Sequence, residues 1–516
     1  MSLMPFKNEA FTDFTDEKNK AAFEEALAKV KSEFGKHWDL LIDGERIKTE
    51  NVIKSIDPAD PDTVVGTVGK ATKEIADKAV NSAYDVFENY WRWTEPEFRA
   101  RILLKAAHLL RQRKHIFSAT MVYEESKNWA EADGDTCEAI DFLEFYAREM
   151  MRLGGAQTLV PYPGEENNMY YIPLGPIVVI PPWNFPMAIM AGMTTAALVT
   201  GNTVVLKPAS GAPVVAAKFI DLLLEAGMPP EVINFCPGSG GEVGDTLVGH
   251  PKTRLIAFTG SMEVGLHIQE LSAKTQPGQI WVKRTILEMG GKDALLIDAT
   301  ADPEYAAEQA VLGAFGFQGQ KCSACSRLII EAPIYDEVVA KVVEIAKNLT
   351  VGHPSDNPNL GAVIDSSAFK MIKDYIQIGQ DDGGKLLLGG GTKEGGYFVE
   401  PTVIGDVKED HRIALEEIFG PVLACIKADD FEHGIKIFNS TQFGLTGGLI
   451  SNDRERLERA REELHCGNLY LNRKITGALV GVQPFGGFNM SGTDSKAGGQ
   501  DYLMLFMQAK TVTERW

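Results

Sequence analysis

The sequence predicts an α/β protein in which a doubly wound parallel sheet forms one domain and a second α/β domain follows it. Three observations carry this. Between Tyr170 and Lys274, strand-length apolar runs alternate with helix-length runs. The runs GPIVVI, TVVLKP, VINFCPG and RLIAFTG are apolar along their length, as strands are when crossover helices bury both faces. After about residue 290 a second series begins, with DALLIDA, SRLIIEA, FVEPTVI, PVLACIKA and NLYLN.

In chain order, residues 1–37 form an N-terminal extension rich in acids and bases, without the apolar core of an export signal. WDLLIDGERI, from Trp38, reads as extended. Thr72 to Met151 is strongly helical: Thr72 suits a cap, and RARILLKAAHLLRQRKHIF carries apolar residues at helical spacing with a basic outer face. The helices MAIMAGMTTAALVTG, PVVAAKFIDLLLEAG, EVGDTLVG and MEVGLHIQELSAK separate the strands of the first sheet, and YDEVVAKVVEIAKNL belongs to the second. The first domain is thus assigned to 38–150 and 168–288, the second to 289–490. Asn167 to Leu206 holds no charged residue, but its five prolines break any spanning helix, so it reads as a buried strand, loop and helix.

Lys and Arg number 51 against 71 Asp and Glu, a net charge of −20. Such a surface repels phosphate backbones and anionic lipid, which excludes nucleic-acid and membrane partners and leaves a small-molecule substrate. Six cysteines in 516 residues are too few for a disulfide framework and fit a reducing, cytoplasmic compartment. Cys322 and Cys325 are spaced C-x-x-C, but no second pair completes a zinc site, and no metal is expected.

The chemistry-bearing residues lie at strand ends and in one loop. Lys207 ends the strand TVVLKP, in the crevice where open parallel sheets bind ligands. Phe258-Thr-Gly260-Ser261-Met-Glu-Val-Gly265 turns from strand to helix, where free N–H groups, the helix dipole and the Ser261 hydroxyl suit a phosphate. Cys322 sits in a glycine-rich loop beside Lys321. A cysteine is usually a small buried hydrophobe, but these surroundings favour a thiolate able to attack an aldehyde carbon. Glu288, in the apolar strand end ILEMGGKD, is expected to have a raised pKa and to activate water. Asn184 of Pro181-Pro-Trp-Asn184-Phe-Pro offers an amide to a developing oxyanion.

Taken in order, PPWNFP, VLKPAS, FTGS with LEMGGK, FGFQGQKC, EEIFGPV and PFGGFNMSG resemble the aldehyde dehydrogenase superfamily, from about Trp38 to the C-terminus. The resemblance implies the aldehyde dehydrogenase fold, with a cofactor domain, a catalytic domain and a small β oligomerisation arm. It implies Cys322 as nucleophile, Glu288 as general base, and Asn184 with the Cys322 N–H as oxyanion donors. It places Lys207 on the adenosine ribose, Ser261, Gly260 and Gly265 at the pyrophosphate turn, Glu417 on the nicotinamide ribose and Phe419 near the nicotinamide. Phe185 and Phe485 would wall the aldehyde tunnel. The arm would comprise 151–167 and 500–516, joining subunits into a dimer or a multiple of one.

The C-terminal stretch from Arg473 to Leu503 more narrowly resembles the 1-pyrroline-5-carboxylate dehydrogenase branch, which oxidises L-glutamate γ-semialdehyde to L-glutamate in proline and arginine breakdown. That branch implies Ser323 and the N–H groups of Gly477 and Ala478 as holders of the substrate carboxylate. NAD is the implied cofactor. Ser210 stands where NAD-selective members often carry Glu, so NADP is expected to be tolerated. Alternatives are a dehydrogenase for another small aldehyde, a catalytically silent binding protein of this fold, or a cysteine hydrolase pairing Cys322 with His267 or His411. The last leaves the doubly wound half unexplained.

Overall fold

In the computed structural model, which describes residues 4–516, alternate residues of the first sheet's strands enter two separate cores. Ile177, Val179, Val204, Leu206, Leu255 and Ala257 face one side, against helices Pro96–Gln112, Trp129–Leu153, Ala188–Val199 and Pro213–Ala226. Val178, Ile180, Val205, Ile256 and Phe258 face the other, against Lys73–Asn89 and Met262–Ala273. Period-two alternation between two dry faces is why these strands read as unbroken apolar runs.

The seven-stranded sheet runs in the order Arg284–Glu288, Leu255–Thr259, Ile177–Ile180, Val204–Leu206, Ile233–Phe235, Leu40–Ile42, Glu45–Ile47. The first five are mutually parallel. The last two form an antiparallel hairpin on Asp43 and Gly44, whose φ values of 57° and 75° are those of a two-residue Asp-Gly turn. Because the strands are parallel, Lys207, Gly260 and Glu288 all emerge at one edge.

The second seven-stranded sheet runs Lys385–Leu388, Thr402–Val407, Val422–Ala428, Arg327–Glu331, Ala294–Ile297, Thr446–Ile450, Asn468–Leu471, parallel but for its first strand. Leu296 and Ile329 enter one core, Leu295 and Leu328 the other. The extension, of which residues 1–3 lie outside the described residues, is folded onto the first domain. Asp16 caps helix Glu17–Ser32, and Phe23 is fully buried against Trp129.

The arm departs from its expected bounds. Residues 151–153 finish helix Trp129–Leu153, and the strand that pairs with the tail is Glu165–Pro173, overlapping residues given to the first domain. It pairs antiparallel with Met507–Arg515, from Met507 opposite Pro173 to Arg515 opposite Glu165. Residues 502–506 are a 3-10 turn instead of strand, because Tyr502, Leu503 and Phe506 are buried in the first domain's core. The ribbon has two strands, and Gln157 N donates to the Met169 carbonyl at 2.8 Å along the edge away from the tail. No helix among the described residues is long and apolar enough to cross a membrane.

Candidate active site

Helix Pro303–Phe315 leads into the thiol loop, where Phe317 (φ 49°) and Gln318 (φ 55°) adopt left-handed backbone. Such residues cost about 1–3 kcal/mol each and persist where surroundings enforce them. Here Gln318 Nε2 donates to the Ser126 and Ala362 carbonyls at 3.0 and 2.8 Å, and Gln320 Oε1 accepts from Ile364 N at 2.9 Å. A Cβ on Gly319 would stand 2.3 Å from the Gly420 carbonyl oxygen, so only glycine fits.

The environment of Cys322 differs from the sequence expectation. Lys321 turns away to pair with Glu131 at 2.7 Å, so its charge is spent elsewhere. Burial, with Asp293, Glu417 and Glu288 adding negative charge, pushes the Cys322 thiol well up, and the resting group is a neutral thiol. Cys325 packs beneath Gly313 in the second domain's core, and all six cysteines are free.

Glu288 ends strand Arg284–Glu288. Its Oε1 accepts from Ser495 Oγ at 2.8 Å, and its Oε2 is buried without a partner. Burial pushes its carboxyl up to about 8, the direction expected of a carboxylate in apolar company. The next residues tie the site together: a Cβ on Gly290 would strike Glu417 Oε2 at 2.2 Å, and one on Gly291 would stand 2.5 Å from the Cys322 carbonyl oxygen. Glu417 Oε1 accepts from Gly291 N at 2.9 Å. The glycine pair of LEMGGK therefore lets Glu288, Glu417 and Cys322 converge.

Asn184 is buried, and its Nδ2 donates one hydrogen to the Gln320 carbonyl at 3.0 Å, leaving the second hydrogen available. Phe185 lies edge-on to Phe317, and the fully buried Lys127 ammonium sits 4.2 and 4.6 Å from the two ring centroids. Lys127 pairs with Asp135 at 2.7 Å, and Asp135 Oδ1 accepts from Ala188 N at 2.7 Å, at the start of the helix after Phe185. The sequence reading missed this pair. Its signal was a run of charges, Glu124 to Asp135, inside an otherwise apolar helical region.

At the sheet edge, Lys207 is 8 % exposed, and its ammonium makes no hydrogen bond among the described residues. Its stem passes within 3.5 Å of where a Cβ on Gly244 would stand. Ser210 is exposed on the turn that follows. Ser261 caps helix Met262–Ala273, its Oγ accepting from Val264 N at 3.4 Å with the hydroxyl hydrogen still free. A Cβ on Gly260 would meet the Phe258 ring at 2.6 Å, and one on Gly265 the Met289 sulfur at 2.4 Å, so both close approaches need glycine. A buried ammonium without a hydrogen bond among the described residues and a helix N-terminus at the same end of the parallel strands are a donor set that fits a dinucleotide. Phe419, at φ 55°, sets its ring edge-on to Trp183 at 5.6 Å.

Ser323 is 9 % exposed, and its hydroxyl makes no hydrogen bond among the described residues. Gly477 takes φ 81°, and neither its N–H nor that of Ala478 is engaged there. Lys474, on the same loop, stands near enough to Lys321 and Glu131 for their charges to act on it, which brings the loop up to the thiol segment. Phe485 is half-buried, its backbone paired with Ala497. The histidines of the hydrolase alternative are engaged elsewhere: His267 pairs with Asp245 at 2.9 Å, and His411 accepts from Lys408 N.

Residues 45–512 match the aldehyde dehydrogenase family. A 1-pyrroline-5-carboxylate dehydrogenase of Geobacillus sp. (strain WCH70) is 58% identical over 513 residues, 99% of each chain. The 1-pyrroline-5-carboxylate dehydrogenase of Thermus, solved with bound NAD, superposes with a TM-score of 0.98 at 51% identity over 100% of both chains. The betaine aldehyde dehydrogenase of Staphylococcus aureus gives 0.89 at 28% identity over 96% of this chain and 97% of that one.

Proposed function

The chain belongs to the aldehyde dehydrogenase family, and from that premise we propose that it oxidises L-glutamate γ-semialdehyde, the open form of 1-pyrroline-5-carboxylate, to L-glutamate with NAD as oxidant. The observation that carries this reading is a convergence. Asn184 is bonded to the residue two before Cys322, and the charge of Glu288 bears on the same thiol.

In this reading the neutral thiol passes its proton to solvent water, which reaches the half-buried Cys322, as sulfur adds to the aldehyde carbon. The second amide hydrogen of Asn184 and the Cys322 N–H receive the oxyanion. NAD held by Lys207, Ser261 and Glu417 would supply the hydride acceptor that turns this adduct into a thioester on Sγ. Glu288 Oε2 then takes a proton from water as the oxygen bonds to the acyl carbon, the C–S bond breaks towards sulfur, and the acid departs. A carboxyl near 8 is matched to that task around neutral pH.

The remaining assignments belong to the same proposal. Lys207 and Ser210 face the adenosine ribose, Gly260, Ser261 and Gly265 the pyrophosphate, and Glu417 and Phe419 the nicotinamide riboside. Phe185 and Phe485 wall the tunnel, while Ser323, Gly477 and Ala478 hold the α-carboxylate. Residues 38–150 with 168–288 serve the cofactor and 289–490 the chemistry. The exposed Tyr162, Val512 and Trp516 of the arm support a dimer or a multiple of one. Six free thiols support a reducing, cytoplasmic setting. The decisive experiment compares NADH formation from glutamate semialdehyde and from butyraldehyde. Strong preference for the former is expected, and indifference would remove the substrate assignment.

A further inference from the structure

The segment that follows Gly486-Gly487, Ser491 to Lys496, has no part in the mechanism above, yet it is built against Glu288. Met289 N donates to the Ser491 carbonyl at 2.8 Å, Thr493 N to the Leu287 carbonyl at 3.0 Å, and Thr493 Oγ1 accepts from Leu287 N at 3.0 Å. These bonds lay the segment alongside the strand that ends in Glu288, and they put the Ser495 hydroxyl 2.8 Å from Oε1.

The next residue fixes the height of that hydroxyl. Lys496 Nζ donates to the Gly467 and Gly486 carbonyls, both at 2.6 Å, and to Asn468 Oδ1 at 3.1 Å. Gly486 has no room for a side chain: a Cβ there would stand 1.6 Å from the Ser495 carbonyl oxygen and 2.9 Å from Glu288 Oε1. One ammonium thus stitches three chain segments into a stack with the carboxylate on top. The result is an asymmetric carboxylate, with Oε1 occupied and Oε2 buried without a partner.

We propose that Ser495 and Lys496 are positioning residues for thioester hydrolysis, holding Glu288 so that Oε2 is the single acceptor for the proton of the attacking water. This rests on the reading of Glu288 as the hydrolytic base. The groups acting on Glu288 divide by element. Ser495, Lys496 and the Gly487 N–H favour its charged form, Asp494 on the same segment as Ser495 opposes it, and the Cys322 thiol and the Tyr502 hydroxyl face it from the loop and the tail. Burial outweighs these three favourable groups, which is why the carboxyl sits near 8 instead of in the ordinary carboxylate range.

The sign follows. Hydrolysis rises with pH as Glu288 loses its proton, and a hydroxyl that donates to the carboxylate stabilises the deprotonated form. Removing it must move the rising limb to higher pH. Ser495→Ala, assayed with glutamate semialdehyde and NAD, should keep its pre-steady-state NADH burst within about twofold. Its steady-state limb should move up by at least about half a pH unit, which lowers turnover at pH 7 about threefold or more. Ser495→Thr keeps the hydroxyl and should restore the wild-type limb. Lys496→Met should act in the same direction, and if it fails to fold the Ser495 pair still decides. An unmoved limb in Ser495→Ala, or equal displacement in the Ala and Thr variants, overturns the proposal. Glu288→Gln separates the two levels. A burst without turnover there keeps the base reading whatever Ser495 does, and wild-type turnover removes the base reading itself.

Discussion

Asn184 Nδ2 donates to the main-chain carbonyl of Gln320 at 3.0 Å, a bond across 136 residues that joins the loop after strand Ile177–Ile180 to the loop carrying Cys322. The amide proposed to receive the oxyanion is thereby held at a fixed height relative to the thiol. Preorganisation of this kind is what lets a neutral donor stabilise a charge that exists only in the transition state. Asn184→Ala should lower the NADH burst rate by about 10² to 10³-fold, the range for loss of one oxyanion donor. Stopped-flow NADH absorbance reads it directly, and an unchanged burst would show that the amide only ties loops together.

Lys127 and Asp135 are both fully buried, and breaking one side of such a pair leaves an uncompensated charge. Lys127→Met is expected to destabilise the fold by about 3–5 kcal/mol, with a lower denaturant midpoint. Adding Asp135→Asn removes the stranded carboxylate and should recover more than half of the loss, because Asn can no longer be left as an unpaired anion. A double variant no better than the single one would mean that packing of the lysine stem against Phe185 and Phe317 carries the effect.

The fold was legible because its signal is local: an apolar strand, a helix and a glycine turn each announce themselves within fifteen or so residues. Lys207, Gly260 and Glu288 stand out for the same reason, at the ends of strands whose direction the alternation dictates. What was not legible depends on distant partners. Lys321 next to Cys322 suggested a thiolate, but its partner Glu131 lies 190 positions away and takes the charge. The Ser495 hydroxyl reaches Glu288 across 207 positions, and no periodicity within either segment points to the other. The arm was displaced for a related reason: β propensity around Tyr162 and Tyr170 is similar, and only pairing with Met507–Arg515 selects Glu165–Pro173.

Ser210 is exposed on the turn after Lys207-Pro-Ala, without a carboxylate to repel a 2′-phosphate. Measurable NADP use is expected beside preferred NAD use. Ser210→Glu should suppress NADP turnover selectively, by about tenfold or more for one like-charge contact worth about 1.4 kcal/mol. The ratio of kcat/KM for the two cofactors in wild type and variant checks this, and equal loss on both would place Ser210 away from the ribose.

The substrate assignment rests on donors without a hydrogen bond among the described residues: the Ser323 hydroxyl and the N–H groups of Gly477 and Ala478. Hydrogen bonds to a charged group are worth about 1.5–3 kcal/mol each, and about 1.4 kcal/mol is tenfold in kcat/KM when expressed in the transition state. A substrate carrying an α-carboxylate satisfies these donors, and one without it leaves them unmatched. Ser323→Ala should therefore narrow the preference for glutamate semialdehyde over butyraldehyde by about tenfold or more, with butyraldehyde oxidation nearly unchanged because Cys322 and Asn184 remain. The measurement is kcat/KM for both aldehydes in wild type and variant. Equal losses would show that Ser323 serves the thiol loop, whose backbone it shares with Cys322, while a loss confined to the charged substrate places its hydroxyl on the carboxylate.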